Sequence, residues 1–213
     1  MRSIHWCRAV GLAALVTAAT ACVSTGRRSC GDVNAGIALL HLRSVTDSVA
    51  DAVGRAGDSS ATVLRSTLQD AVDRTAALDA CGRLSTAALL REAGAIALTA
   101  SRAGTGSLEQ AYRWARRAVV LDGSDRGSWR VLAESWDELQ VAENRPQWFG
   151  TVIACAPGAT GRCELAPLDS ARVSEAQRVE LGLRTVQQQR ERLDVLNRER
   201  RGPERRPPSR RGS

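Results

Sequence analysis

Ser107–Glu143, SLEQAYRWARRAVVLDGSDRGSWRVLAESWDELQVAE, is the stretch whose pattern decides the fold. Ser107 followed three residues later by Gln110 is a helix-opening pair, because the hydroxyl accepts an orphan amide and the amide side chain reaches back. The helix so opened runs to Leu121, and Gly123-Ser124-Asp125 turns the chain. After the turn, Trp129, Leu132, Trp136 and Leu139 recur at spacings of 3, 4 and 3, which places them on one face of a second helix. Two tryptophans on such a face are expected to pack a core rather than to cage a ligand.

Toward the N-terminus the same reading continues. Ser85 to about Ala103 is rich in Ala and Leu and helical by propensity, and Gly104-Thr105-Gly106 ends it. Thr62–Ala80 carries Leu64, Leu68, Ala71, Thr75 and Leu78, a regular helical stripe that Gly82 stops. Asp32 to about Arg55 carries Val33, Ile37, Leu40, Val45, Val49 and Ala52, a stripe with one slip of phase, and Gly57-Asp58-Ser59-Ser60 breaks it. Residues 30–82 are therefore predicted to form an antiparallel helical hairpin, and residues 85–143 a further stack of helices.

Ala111, Ala115, Ala118 and Leu121-Asp122, then Trp129, Leu132 and Trp136, resemble the junction between two tetratricopeptide repeats. Gly123 and Ala133 depart from the proline and glycine usual there. The resemblance implies a short helix stack, since fewer than three repeats cannot build a long solenoid.

Beyond that stack, Pro146 stops the helix and Trp148–Cys155 is rich in aromatic and β-branched residues. With Arg162–Leu165 it is expected to form a small hairpin near 148–166. Ser174 with Gln177, and Thr185 with Gln188, open two closing helices separated by Gly182, so that 144–200 comprises the hairpin and C-terminal helices. From 201 to 213 the Pro, Arg, Gly and Ser composition predicts a disordered basic tail. The fold class is thus mainly α, a helical hairpin plus a short helix stack with one small β-hairpin. Arg145-Pro146-Gln147, Phe149-Gly150-Thr151, Pro167-Leu168-Asp169, Arg178 and Leu181-Gly182-Leu183 are similar to a family of bacterial proteins, domain of unknown function 6624. Phe149 and Val152 replace that family's Tyr and Gln, and the resemblance implies no activity.

The N-terminal residues predict export. Arg2 and Arg8, the apolar run Ala9–Val16 and the small residues Ala19-Thr20-Ala21 follow the order of a secretory signal, expected to span 1–21. The segment ending at Cys22 resembles a bacterial lipobox, with Ala19 where Leu is usual. Acylation of Cys22 would give a membrane-anchored lipoprotein, whereas simple cleavage after Ala21 would release a periplasmic or secreted form. Cys30, Cys81, Cys155 and Cys163 then remain, an even number that an oxidising compartment would pair. The hairpin geometry predicts Cys30–Cys81, and the turn-forming Ala156–Arg162 predicts Cys155–Cys163. A zinc site is not expected, for want of CxxC spacing and of histidine.

A charge of +7 arises from 30 basic residues, all arginine, and 23 acidic ones. From Arg184 to Ser213 ten arginines face four acids, so +6 of it lies in the last thirty residues. Arginine used throughout the chain is a compositional habit, and no nucleic-acid partner is expected. No catalytic set is recognisable: His41, among Leu39, Leu40 and Leu42, is the one histidine after the signal and is expected to be partly buried and structural. No phosphate-cradling glycine loop or dinucleotide fingerprint appears, so no cofactor is expected. Glu134, Asp137 and Glu138 read as a helix's wet face. The polar candidates for ligand or partner contact are Arg145, Gln147, Asp137 and Thr151, grouped around the helix-to-hairpin junction. The expectation is a helical protein-interaction module of the cell envelope with a protein or peptide partner. The alternative is a small-ligand binder or enzyme that uses Arg145–Thr151.

Overall fold

A computed structural model describes residues 34–55, 58–156 and 161–201. The signal, Cys22, Cys30 and tail residues 202–213 lie outside the described residues. Seven helices and one two-stranded antiparallel sheet follow in the order α1 (Ala35–Val53), α2 (Asp58–Ala80), α3 (Ala87–Arg102), α4 (Leu108–Leu121), α5 (Arg126–Ala142), β1 (Ile153–Cys155), β2 (Cys163–Leu165), α6 (Glu175–Glu180) and α7 (Val186–Arg201). The mainly helical class with a small disulfide-closed hairpin is therefore the fold of the described residues. None of their helices is long and apolar enough to cross a membrane.

Helix α1 starts where Asn34 accepts the amides of Gly36 and Ile37 at 3.0 and 3.2 Å. Its buried face is Ala35, Leu39, Leu42 and Thr46, with Val49 and Val53 packed on the same core. This corrects the stripe read from sequence, because Ile37 and Leu40 are 68% and 65% exposed. Two apolar stripes overlap in the run Ile37–Leu42. The one that continues at spacings of 3, 4, 3 and 4 through Thr46, Val49 and Val53 buries more surface and sets the helix rotation. His41 is turned outward with them and is exposed, not partly buried. Helix α2 begins at Asp58, four residues before the expected start, and buries Ala61, Leu68, Ala71, Val72 and Thr75 against α1. Buried hydroxyls of Thr46 and Thr75 return their protons to the carbonyls of Leu42 and Ala71 at 2.7 and 2.8 Å, so neither is left unpaired.

Helix α3 lies at the centre, packed on α1, α2, α4 and α5, and nearly all of its Ala-rich middle is buried. Gly94 lets α4 and α5 approach: a Cβ there would sit 3.2 Å from the Ala111 carbonyl and 3.2 Å from Val131. The buried positions of α4 are Ala111, Trp114, Ala115 and Ala118, small residues around one large anchor. Trp114 is fully buried and donates its indole N–H to Asp79 on α2 at 2.8 Å, tying the hairpin to the stack. Asp125 caps α5, accepting from Gly127 and Ser128 and from Arg91 of α3 at 2.9, 2.7 and 2.8 Å. Ser107 caps α4 through the Gln110 amide at 3.3 Å, but the return bond of the expected box is absent, because Gln110 accepts from Arg113 instead.

A second, smaller core joins α5 to the C-terminal segment through Ala133, Phe149, Val173 and Leu183. Trp136 packs between Tyr112 and Trp148, with ring centroids 5.2 and 4.8 Å apart, the first pair tilted and the second edge-to-face. In the hairpin Ile153 faces Leu165, Ala154 faces Glu164, and Cys155 faces Cys163. The last pair is bridged as Cys155–Cys163. Cys81 is disulfide-bonded as well, and Cys30, its expected partner, lies outside the described residues. The reciprocal Ser174–Gln177 box opens α6. Helix α7 then grips the outer edge of β2, Asn197 accepting the Cys163 amide at 2.7 Å and donating to its carbonyl at 2.9 Å. It continues through Arg201, the first residue of the expected tail.

Candidate functional site

The segment Trp148–Val152 runs between the end of α5 and β1, and its backbone polar groups are engaged by side chains. Asp137 accepts the amides of Trp148 and Phe149 on one oxygen at 2.8 and 2.9 Å. Its other oxygen accepts the Thr151 amide and hydroxyl at 2.9 and 2.8 Å. Arg178 donates to the Trp148 carbonyl at 3.1 Å and also to that of Phe149. Gln147 donates to the carbonyls of Val152 and Ala166 at 3.1 and 2.8 Å and accepts the Val152 amide at 2.8 Å. Gln189 of α7 donates to the Gly150 carbonyl at 3.0 Å. All four of these side chains are buried. A loop that cannot pair as helix or sheet must satisfy its backbone in another way, and here long-range polar side chains supply the partners.

Charge follows from that burial. Desolvation raises the Asp137 carboxyl above its ordinary range, against the opposing pull of its hydrogen bonds from Phe149, Thr151 and Trp148. Burial lowers the Arg178 guanidinium, partly offset by Glu175 and Asp137. Gly150 has φ of +67°, and a Cβ there would sit 2.8 Å from Arg178 Nη1, so only glycine lets this arginine reach the carbonyls.

The residues singled out in sequence divide accordingly. Asp137, Gln147 and Thr151 are brought together, the first two turned toward backbone groups and the Thr151 hydroxyl toward the Asp137 carboxylate. Arg145 is not among them: it is exposed and ion-paired with Glu143. Glu134 and Glu138 are half-buried and pair with Arg102 at 2.8 and 2.5 Å, whereas Asp137, expected with them on a wet face, is fully buried. Burial raises Glu138, against the attraction of Arg102.

Next to this clamp lies a cleft of about 1000 Å³ between α5, β1 and the start of α7. Its charged lining is Arg102, Arg130, Arg184 and Arg192 with Glu134 and Glu138. Four arginines against two glutamates leave +2, and because both glutamates bind Arg102, the positive charge rests on Arg130, Arg184 and Arg192. These three are exposed and pair with no carboxylate among the described residues. Thr151, Val152, Ile153 and Cys155 form the β1 side of the cleft. Sequence reading missed this surface. The available signal was Gln188 and Arg192, four residues apart on one face of α7, with Arg184 another four residues earlier in the loop that leads into it. Among the described residues no group of three or more His, Cys, Asp or Glu is close enough to hold a metal ion.

Comparison of the chain with protein-family models, with curated proteins and with solved structures finds no match.

Proposed function

We propose that this chain is an exported, helical binding module of the cell envelope, and that it holds a protein or peptide partner in the cleft between α5, β1 and α7. The observation that carries this reading is the cleft itself: about 1000 Å³ of concave surface whose three arginines lack acidic partners within the described fold. Ion-pairing groups at a rim without partners are poised for a charged ligand and do little for the stability of the fold. The best polar candidates for chemistry, Asp137 and Gln147, are buried and bound to backbone, which supports binding over catalysis at this place.

Export is supported by the signal-like 1–21 segment and by the bonded Cys81, Cys155 and Cys163, which fit an oxidising compartment. Cys22 is the proposed site of acylation and membrane attachment. The repeat-like helices α3 to α5 fit a scaffold whose role is recognition.

Photo-crosslinking tests the binding reading. A photoreactive residue at Gln188, in the cleft, should yield a discrete adduct in envelope extract, and the same residue at Asp73, on exposed α2, should not. Equal labelling at both positions, or none at Gln188, argues against it. Mass spectrometry of the mature N-terminus tests export: a chain beginning at Cys22 is expected, with or without acyl groups, and material beginning at Met1 with reduced cysteines would overturn it.

A further inference from the structure

The strand register gives the cleft a second property. Val152 accepts from Ala166, and Ala156 donates to Arg162, so positions 152, 154 and 156 are the ones hydrogen-bonded to β2. Ladder bonds alternate along an antiparallel pair, and the N–H and C=O groups of Ile153 and Cys155 therefore point away from β2. They lie on an edge that no strand among the described residues covers, since the sheet there has two strands, and both residues line the cleft. The opposite edge is closed: Asn197 bonds both backbone groups of Cys163, and Arg200 donates to the Gly161 carbonyl at 2.8 Å. One edge of this hairpin is blocked by α7, and the other opens on a basic cleft.

We infer that the cleft takes an extended acidic peptide segment, which adds as a third strand along β1 and sets its carboxylates against Arg130, Arg184 and Arg192. This deepens the binding-module reading and rests on it. Strand addition gives affinity through main-chain bonds, and alternate side chains give specificity. The clamp of Asp137, Arg178, Gln147 and Gln189 fixes the backbone leading into β1, so the edge is rigid before a ligand arrives, which lowers the ordering cost of binding. Charge selects against the chain's own ends. Arg27 and Arg28 outnumber Asp32 in the segment 23–34, and 202–213 contains four arginines against Glu204, so neither composition complements a basic cleft.

The test uses a fluorescein-labelled heptapeptide of alternating valine and glutamate, titrated with the mature chain and read by anisotropy. Saturable binding is expected, weakening as salt rises. It should fall about tenfold in the Arg130→Gln/Arg184→Gln/Arg192→Gln variant, because each exposed pair contributes a small factor. The three positions are exposed, so the variant should fold, as circular dichroism would verify. If it does not, the salt dependence of the unaltered chain is the charge readout. A peptide N-methylated on alternate residues should not bind, since it lacks the amides a strand needs. Equal binding of the N-methylated peptide, equal binding of a valine–lysine peptide, or displacement by polyphosphate regardless of N-methylation would overturn strand addition and leave a simple polyanion site. A Gln188 cross-link without any acidic-peptide binding would remove this ligand while the module reading stands. Loss of both would remove the two together.

Discussion

Asp137→Ala is the sharpest test of the clamp. The substitution leaves three backbone amides and one hydroxyl without an acceptor. The Thr151 hydroxyl rotates and loses little. The Phe149 amide belongs to a buried residue and bears the full desolvation penalty, about 1–3 kcal/mol for an unsatisfied buried donor. Trp148 and Thr151 are half-buried, so water reaches their amides in part and each costs about 1 kcal/mol. Against this stands the relief of a desolvated carboxylate, whose burial is what raises its pKa. The net is about 3 kcal/mol, a large part of a total stability of about 5–15 kcal/mol for an ordinary domain. With a urea m-value of about 2 kcal/mol/M, the midpoint read by tryptophan fluorescence should fall by about 1.5 M. Amide exchange should accelerate at 148, 149 and 151 more than in α3. A midpoint shift below about 0.3 M, with those three amides still protected, would refute the assignment of Asp137 as the anchor of the loop.

Three further outcomes follow from the same geometry. Gly82 and Gly150 have similar φ, +66° and +67°, but a Cβ at Gly82 meets nothing within 4 Å. Gly82→Ala should therefore cost about 1 kcal/mol and Gly150→Ala about 3 kcal/mol, because the latter also drives into Arg178; equal melting-temperature shifts would sink the steric account. Acid should act on Asp125 and Asp137 with opposite signs. Burial would raise Asp125, but Ser128, Gly127 and Arg91 hold it below its ordinary range, so its stabilisation is present above the unfolded pKa of about 3.9 and is lost as pH falls through the folded value. Asp137, raised, contributes most below that unfolded value and less as pH rises through its folded pKa. Urea midpoints across pH should show Asp125→Asn flattening the acid limb and Asp137→Asn steepening it; an unchanged acid limb in Asp125→Asn contradicts this. The Cys155→Ser/Cys163→Ser pair, with a sequence separation of 8, should lose about 2–3 kcal/mol by the loop-closure relation, and a melting curve unmoved by the substitution would deny the bridge a stabilising role.

What was legible in the sequence was local. Ser174 with Gln177, Thr185 with Gln188, and the positive-φ glycines 82, 104, 106 and 182 mark helix ends, because capping and left-handed turns depend on residues within three or four positions. The Cys155–Cys163 pair was readable because a short turn leaves one way to close it. The rotation of α1 was not: periodicity names the residues that share a face, and where Ile37, Leu40 and Leu39, Leu42 offer overlapping faces, only the packing partner decides. The buried role of Trp114 depends on Asp79, 35 residues away, and the role of Arg178 depends on carbonyls 29 and 30 residues away. No spacing rule spans such distances.

This difference in range explains why the polar site candidates and the proposed binding surface separate. Asp137, Gln147 and Thr151 drew notice through residue type and nearness in sequence, yet a carboxylate or amide beside an irregular loop is the natural partner for backbone groups that lack a helix or sheet. Once such groups are buried, an incoming ligand would have to break existing bonds to use them. The exposed arginines of the cleft behave differently, because a long stem carries the charge to the rim without desolvating it. Arg130 on α5 is more than fifty residues from Arg184, in the loop before α7, and from Arg192 on α7, and only the fold assembles them. The buried clamp and the exposed arginines are then parts of one device: four side chains hold the segment that leads into β1, and three hold the charge that a partner would meet there. Neither part requires the chain to catalyse anything, and both require the hairpin to be stiff, which the Cys155–Cys163 bridge and Asn197 secure from the other side.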